Sequence, residues 1–202
     1  MSVATIGRWL VRLARLDLGV LGEAGSTAMA TGPLLGMAVG ASLASGLGPW
    51  LWWLGQDLPK SGEAFLKAVI LGGLLQVAVW LGWVYVSYVL ATRVLGGSGE
   101  LMAVFRAMAL AFAPMALAVL MFIEPLAMGF GVLAVGAVAV LSQAALQSTT
   151  GLDSGRALAA NVLGLVLFTL VMSLLGSVGE IEFPLAGRMG GVAPGIFFFS
   201  LD

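Results

Sequence analysis

The side chains able to do chemistry in this chain are few. Among its 202 residues there is no cysteine and no histidine. That excludes thiolate or imidazole metal sites, disulfides, cysteine nucleophiles and histidine bases. Ten acidic residues remain. Asp17, Glu23, Asp57, Glu63, Glu100, Asp153, Glu180, Glu182 and Asp202 stand outside the long apolar stretches, and only Glu124 approaches one. Pro125 directly after Glu124 marks that acid as a turn residue. General acid–base catalysis needs two titratable groups in one pocket, and an intramembrane proton relay needs acids within the spans. Neither pattern occurs, so the chain reads as a non-enzyme without a metal or other cofactor. Gln76, Ser87, Ser142, Gln143, Asn161, Thr169 and Ser173 do lie within apolar stretches. Polar groups so placed are expected to hydrogen-bond between helices; together they could instead line a polar path.

Composition says what must position these groups. Hydrophobic residues make up 60% of the chain and charged residues 9%, against roughly 25% charged in a soluble domain. Such a chain cannot cover its surface against water. A net charge of −1 gives no basic footprint for nucleic acid. Five apolar stretches follow one another, about Ala30 to Trp53, Ala68 to Thr92, Val104 to Ile123, Leu126 to Leu146 and Ala157 to Val178. Each is near the roughly 20 residues that cross a bilayer core. Lipid leaves no partner for bare backbone groups, so stretches of this length must be helical. The expected fold class is all-α, with five transmembrane helices over residues 26–179. The third and fourth should form a hairpin turning at Glu124-Pro125.

Before these spans, residues 1–25 predict an amphipathic helix lying in the membrane interface. Ile6, Trp9, Leu10, Leu13, Leu16 and Val20 recur at helical spacing, and Arg8, Arg12 and Arg15 share the opposite face. The arginines would meet anionic lipid headgroups with Trp9 wedged at the boundary; the other reading packs this helix on the protein's own bundle. Counting basic residues, a cytoplasmic N-terminus puts Arg8, Arg12, Arg15, Arg93, Arg106 and Arg156 inside, and Lys60, Lys67 and Arg188 outside. The positive-inside rule then favours N-in and C-out, with Trp50, Trp52 and Trp53 as an outer aromatic anchor.

Small residues carry the clearest packing signal. Gly32, Gly36, Gly40, Ala44 and Gly48 stand four apart on the first span, an extended groove for another helix, of this chain or of a second subunit. Trp80, Trp83, Tyr85 and Tyr88 cluster on the second span, where a quinone or pigment could be touched by packing alone. The tail over 180–202 ends in Phe197, Phe198 and Phe199. Three phenylalanines should not stand free in water, so an ordered extracytoplasmic tail is expected, held by the bilayer, the bundle or a partner.

The segment Arg93 to Pro114, RVLGGSGELMAVFRAMALAFAP, resembles the bacterial Yip (Ypt/Rab-interacting protein) family of five-span membrane proteins. Gly96, Gly97, Ser98, Arg106, Ala113 and Pro114 carry the resemblance. Two further stretches are similar: Arg15-Leu16-Asp17 with Ala41 to Gly46, and Thr150 to Leu158 (TGLDSGRAL). The resemblance implies five helices and a cytoplasmic N-terminus. Eukaryotic relatives contact Rab-type GTPases and shape membranes. Their acidic N-terminal domain and Asp-Leu-Tyr-Gly-Pro motif are missing here, so GTPase binding does not carry over. Gly96, Gly97 and Arg106 are either a tight loop or a docking point for a partner.

These readings converge on a non-catalytic accessory or scaffold subunit of a larger membrane assembly. Its partners would be other integral membrane subunits and anionic lipids. The alternatives are a small transporter or channel, or a membrane-shaping Yip-like protein. Arginine outnumbering lysine, with abundant alanine and glycine, suggests the inner membrane of a GC-rich bacterium.

Overall fold

The computed structural model describes residues 3–178 and, beyond them, the backbone of Ile181–Phe183 and Gly187–Met189. Two short helices, α1 (Val3–Ala14) and α2 (Gly19–Ser26), precede the spans. Five helices long and apolar enough to cross a bilayer follow: α3 (Ala28–Gly55), α4 (Ser61–Val94), α5 (Leu101–Phe122), α6 (Glu124–Thr150) and α7 (Ser154–Ser177). The protein is an all-α, multi-pass membrane protein. After α7 the backbone forms a two-stranded antiparallel ribbon, β1 (Ile181–Phe183) with β2 (Gly187–Met189), in which Glu182 pairs with Arg188. Residues 190–202, including Phe197, Phe198 and Phe199, lie outside the described residues, as does the expectation placed on that tail.

Local chemistry explains where the helices begin, tighten and end. The α4 helix starts at Ser61, seven residues before the apolar stretch alone would place it. Lys67 reaches back to Glu63 at 2.8 Å across one helical turn, which lets polar residues extend the helix. In α5 the ordinary helix ends at Ala111 and tighter, three-residue turns run from Ala113 to Phe122. Pro114 has no amide hydrogen and its ring clashes with the preceding turn, so the regular ladder stops there. Only Ile123, in an extended conformation (ψ 90°), separates α5 from α6, and Pro125 stands in the first turn of the hairpin's return.

The N-terminal segment differs from the single amphipathic helix expected. It breaks after Ala14, and Leu16 adopts a left-handed conformation (φ 62°). Asp17 is the cause. Its carboxylate accepts from the Arg12 guanidinium at 2.8 Å and from the Gly19 amide at 3.1 Å. That redirects the chain into α2, and the left-handed residue is the usual way a helix closes its last carbonyls.

The chain divides into two compact units, each drawing a piece from every span. Unit 1 holds residues 1–38, 81–113 and 137–167, and with them α1, α2 and the loops 95–100 and 151–153. Its core includes Leu21, Leu34, Trp83, Met108, Leu110 and Leu146, all fully buried. Trp83 donates its indole N–H to Asn161 at 3.2 Å, and Asn161 donates to the Ala139 carbonyl at 2.8 Å. A Cβ on Gly164 would collide with Trp83 and Ser87, so glycine is what lets α4 and α7 close over this bond.

Unit 2 holds residues 39–80, 114–136 and those from 168 onward. Trp53, Ala64 and Ala68 form its apolar cluster, with Trp50, Trp52 and Leu58 packed around them. Trp53 is fully buried and donates to the Pro59 carbonyl at 2.9 Å; Trp50 donates to the Ser61 carbonyl at 3.1 Å. Trp50 and Trp53 thereby lock the α3–α4 turn onto itself. Deeper in the unit, the Ser42 and Ser45 hydroxyls each lie 2.8 Å from Oε1 of Gln76.

Close approach here uses Gly48, the last residue of the expected stripe, and Gly46, which lies outside that stripe and on the opposite side of α3 from Gly48. A Cβ on Gly46 would collide with the Ala68 and Val69 backbone, and one on Gly48 with the Ala118 carbonyl. Gly32, Gly36 and Gly40 meet nothing within 4 Å, and all three are exposed. Gly46→Ala is therefore expected to cost about 1–3 kcal/mol through overpacking against rigid backbone. Gly36→Ala should stay within about 0.5 kcal/mol of the parent. Thermal unfolding of both variants in detergent checks this; equal losses would contradict the assignment of the packing face.

Candidate functional site

The residues singled out by sequence fall mostly in unit 1, where α1, α2 and the two loops meet the ends of the spans. The centre of this region is Arg106 on α5. Its residue is only 7% exposed. Nε and Nη2 donate to the Gly25 carbonyl at 2.9 and 2.5 Å, and Nη1 to the Thr31 hydroxyl at 3.4 Å. Gly25 lies in the last turn of α2, where unsatisfied carbonyls make the helix end partially negative. A cation there recovers part of its lost hydration. Gly25 is also where α2 packs most tightly, since a Cβ would come within 2.8 Å of the Thr149 methyl and 3.2 Å of the Ala103 carbonyl. Arg106 is thus an internal tie between α5 and α2.

The Gly-Gly loop is built as tightly as its composition implies. Gly96 takes a left-handed conformation (φ 75°). The Gly97 amide donates to the Ala91 carbonyl at 2.8 Å, and a Cβ there would crowd that carbonyl and Leu152. The Ser98 amide donates to the Thr150 carbonyl at 2.9 Å, stitching this loop to the one after α6. Gly97 is committed to the fold; Gly96 is exposed with open space around it.

The proposed headgroup residues divide in the same way. Trp9 is 3% exposed and donates its indole N–H to Glu23 at 2.9 Å. Its ring lies within the protein instead of in lipid, so for Trp9 the second sequence reading describes the structure. Arg12 binds Asp17 at 2.8 Å and Glu23 at 2.5 Å, so its charge is answered within the chain. Arg8 and Arg15 remain exposed, Arg8 touching Thr5 at 3.3 Å. Glu23, Asp17, Gly25 and Thr31 were not read as site residues. The available signal was two acids directly after a basic amphipathic helix, a spacing that lets the chain fold back on itself.

This small network titrates. The Arg12 hydrogen bond holds the Asp17 carboxyl below its ordinary range. The Trp9 indole, and after it Arg12, do the same to Glu23, while the two carboxylates raise Arg12. Elsewhere, several polar residues in the spans are satisfied by neighbours: Gln76 by Ser42 and Ser45, Asn161 by Trp83 and Ala139, Gln143 by Ser154 at 3.1 Å. Among the described residues, no three acidic side chains gather closely enough to hold a metal ion.

Compared with known protein families, curated proteins and solved structures, the chain matches none. Its site is therefore read from its own geometry.

Because Asp17 and Glu23 have lowered native values, they stabilise the α1–α2 clasp above the ordinary carboxylate range. That contribution disappears as pH falls through those lowered values. A nitroxide on Ala4→Cys, the only thiol in a cysteine-free chain, should be constrained at neutral pH. It should gain mobility below about pH 4. Mobility that does not change between pH 7 and pH 3 would show that these carboxylates do not hold α1.

Proposed function

We propose that the protein is a non-catalytic subunit that docks within a larger membrane assembly through one face of α3. The observation that carries this reading is the exposed glycine row Gly32, Gly36 and Gly40, with nothing within 4 Å of where a Cβ would stand. Close helix contact in membranes depends on small residues that let backbones approach. This chain meets its own need for them at Gly46, Gly48, Gly73 and Gly164, leaving that row unfilled. The transporter reading draws less support, because the span amides Gln76 and Asn161 are committed to neighbouring groups.

The charge count supports a cytoplasmic N-terminus in a bacterial plasma membrane, since six arginines fall in the unit that carries α1 and α2. Kinship with the Yip proteins is proposed on the same terms, from the loop residues quoted above. It brings a five-span plan and no assigned activity. In this chain the quoted residues Gly97 and Arg106 serve the junction of α2 with the loops.

The test is the native particle extracted in mild detergent, with mass spectrometry of co-purifying chains. Stoichiometric partner subunits are expected, lost on Gly36→Leu or Gly40→Leu while the thermal unfolding midpoint stays put. A particle built only from copies of the 20.7 kDa chain would overturn the reading. Partners retained by both variants would remove the α3 face from it.

A further inference from the structure

Unit 1 contains an apolar cleft of about 330 Å3 between the start of α3, the later half of α4 and the start of α5. Thr31 and Leu35, Leu81 and Tyr85, and Met102 and Phe105 line it in those pairs, one pair from each helix. Apart from the Thr31 and Tyr85 hydroxyls its wall is hydrocarbon. Leu35, Leu81, Tyr85 and Met102 are each 37–58% exposed, so the cleft opens on the outer surface of the helices. On a membrane-spanning protein that surface meets acyl chains.

One end of the cleft is electropositive. Thr31 both lines the cleft and accepts the hydrogen bond from Arg106, the longest of that guanidinium's contacts at 3.4 Å. Arg106 carries five N–H donors, and three of them account for all its bonds among the described residues. The ion pairs of the described residues use Arg12, Lys60, Lys67 and Arg156, not Arg106. Its acceptors are one carbonyl and one hydroxyl, both neutral, so the buried positive charge meets no anion among the described residues. The first turns of α3 and α5, contributing Thr31 and Leu101 to the wall, add the positive ends of two helix dipoles. Both residues sit in the first turns of their spans.

We propose that this cleft binds one anionic phospholipid, an acyl chain between α3, α4 and α5 and the phosphate paired with Arg106. A phosphate oxygen replaces the weak Thr31 contact and takes up the unused donors; the bonds to Gly25 stay in place. The inference is independent of the docking face on α3, because the residues altered in its test lie on α4 and α5.

Purified protein exchanged into a defined detergent would be offered equimolar phosphatidylglycerol and phosphatidylcholine of the same chains, with retained lipid counted by native mass spectrometry. One phosphatidylglycerol per chain is expected, preferred over phosphatidylcholine by about fivefold, the effect of one basic residue on an anionic lipid. Leu81→Trp and Met102→Trp alter exposed positions that fill the cleft, and should abolish retention of both lipids with the fold intact. Arg106→Gln should keep retention and lose the preference, and Arg106→Lys should keep both. Equal retention of the two lipids by the parent, or retention unchanged in both tryptophan variants, would overturn the proposal. Oleate retained as well as phosphatidylglycerol would overturn the phospholipid assignment in favour of a free carboxylate amphiphile.

Discussion

A bilayer core offers no hydrogen bonds, and this constraint organises the molecule. Each apolar stretch must satisfy its own backbone, so all five become helices. Where the ladder is interrupted the chain compensates locally. Pro114 turns the second half of α5 into tighter turns, and the α5–α6 reversal leaves only Ile123 outside helical conformation. The same rule governs side chains. Gln76 is enclosed by two serines, and Asn161 bridges an indole and a carbonyl. Gln76, Ser87 and Asn161, which could have formed a path, are spent on holding helices together, while the buried Ser142 hydroxyl meets no hydrogen-bond partner among the described residues.

Charge follows a second rule, that a cation withdrawn from water needs acceptors. Arg12 finds two exposed carboxylates, while among the described residues Arg106 finds only the carbonyl end of α2 and a hydroxyl. The two arginines look alike in the sequence, yet one is neutralised and the other retains its charge beside an apolar cleft. That difference turns an ordinary groove between helices into one suited to an anionic amphiphile.

Small residues separate in a comparable way. Gly46, Gly48, Gly73 and Gly164 stand where backbones or rings come too close for a Cβ. Gly32, Gly36 and Gly40, four apart and equally small, face outward. Glycines in close contact and glycines facing open space coexist on α3.

The sequence alone determined the class and the plan: five membrane-spanning helices, their order, and the near-absent loop at Glu124-Pro125. These follow from hydropathy, segment length and proline chemistry, all local properties that need no knowledge of neighbours. It also located the tight Gly96-Gly97 loop, because glycine's backbone freedom is a property of the residue itself. Which glycines face inward depended on the rotation of α3 against its neighbours, and a four-residue spacing is the same on every face. The break at Leu16 depended on Arg12 meeting Asp17 and Glu23 across a turn, a contact stronger than the helical periodicity running through it. The burial of Trp9 depends on α1 folding back on α2, the commitment of Arg106 to Gly25 on α2 packing against α5, and the cleft beside Thr31 on α3, α4 and α5 coming together. Long-range packing decides which partner a side chain meets, and spacing along one helix carries no record of it.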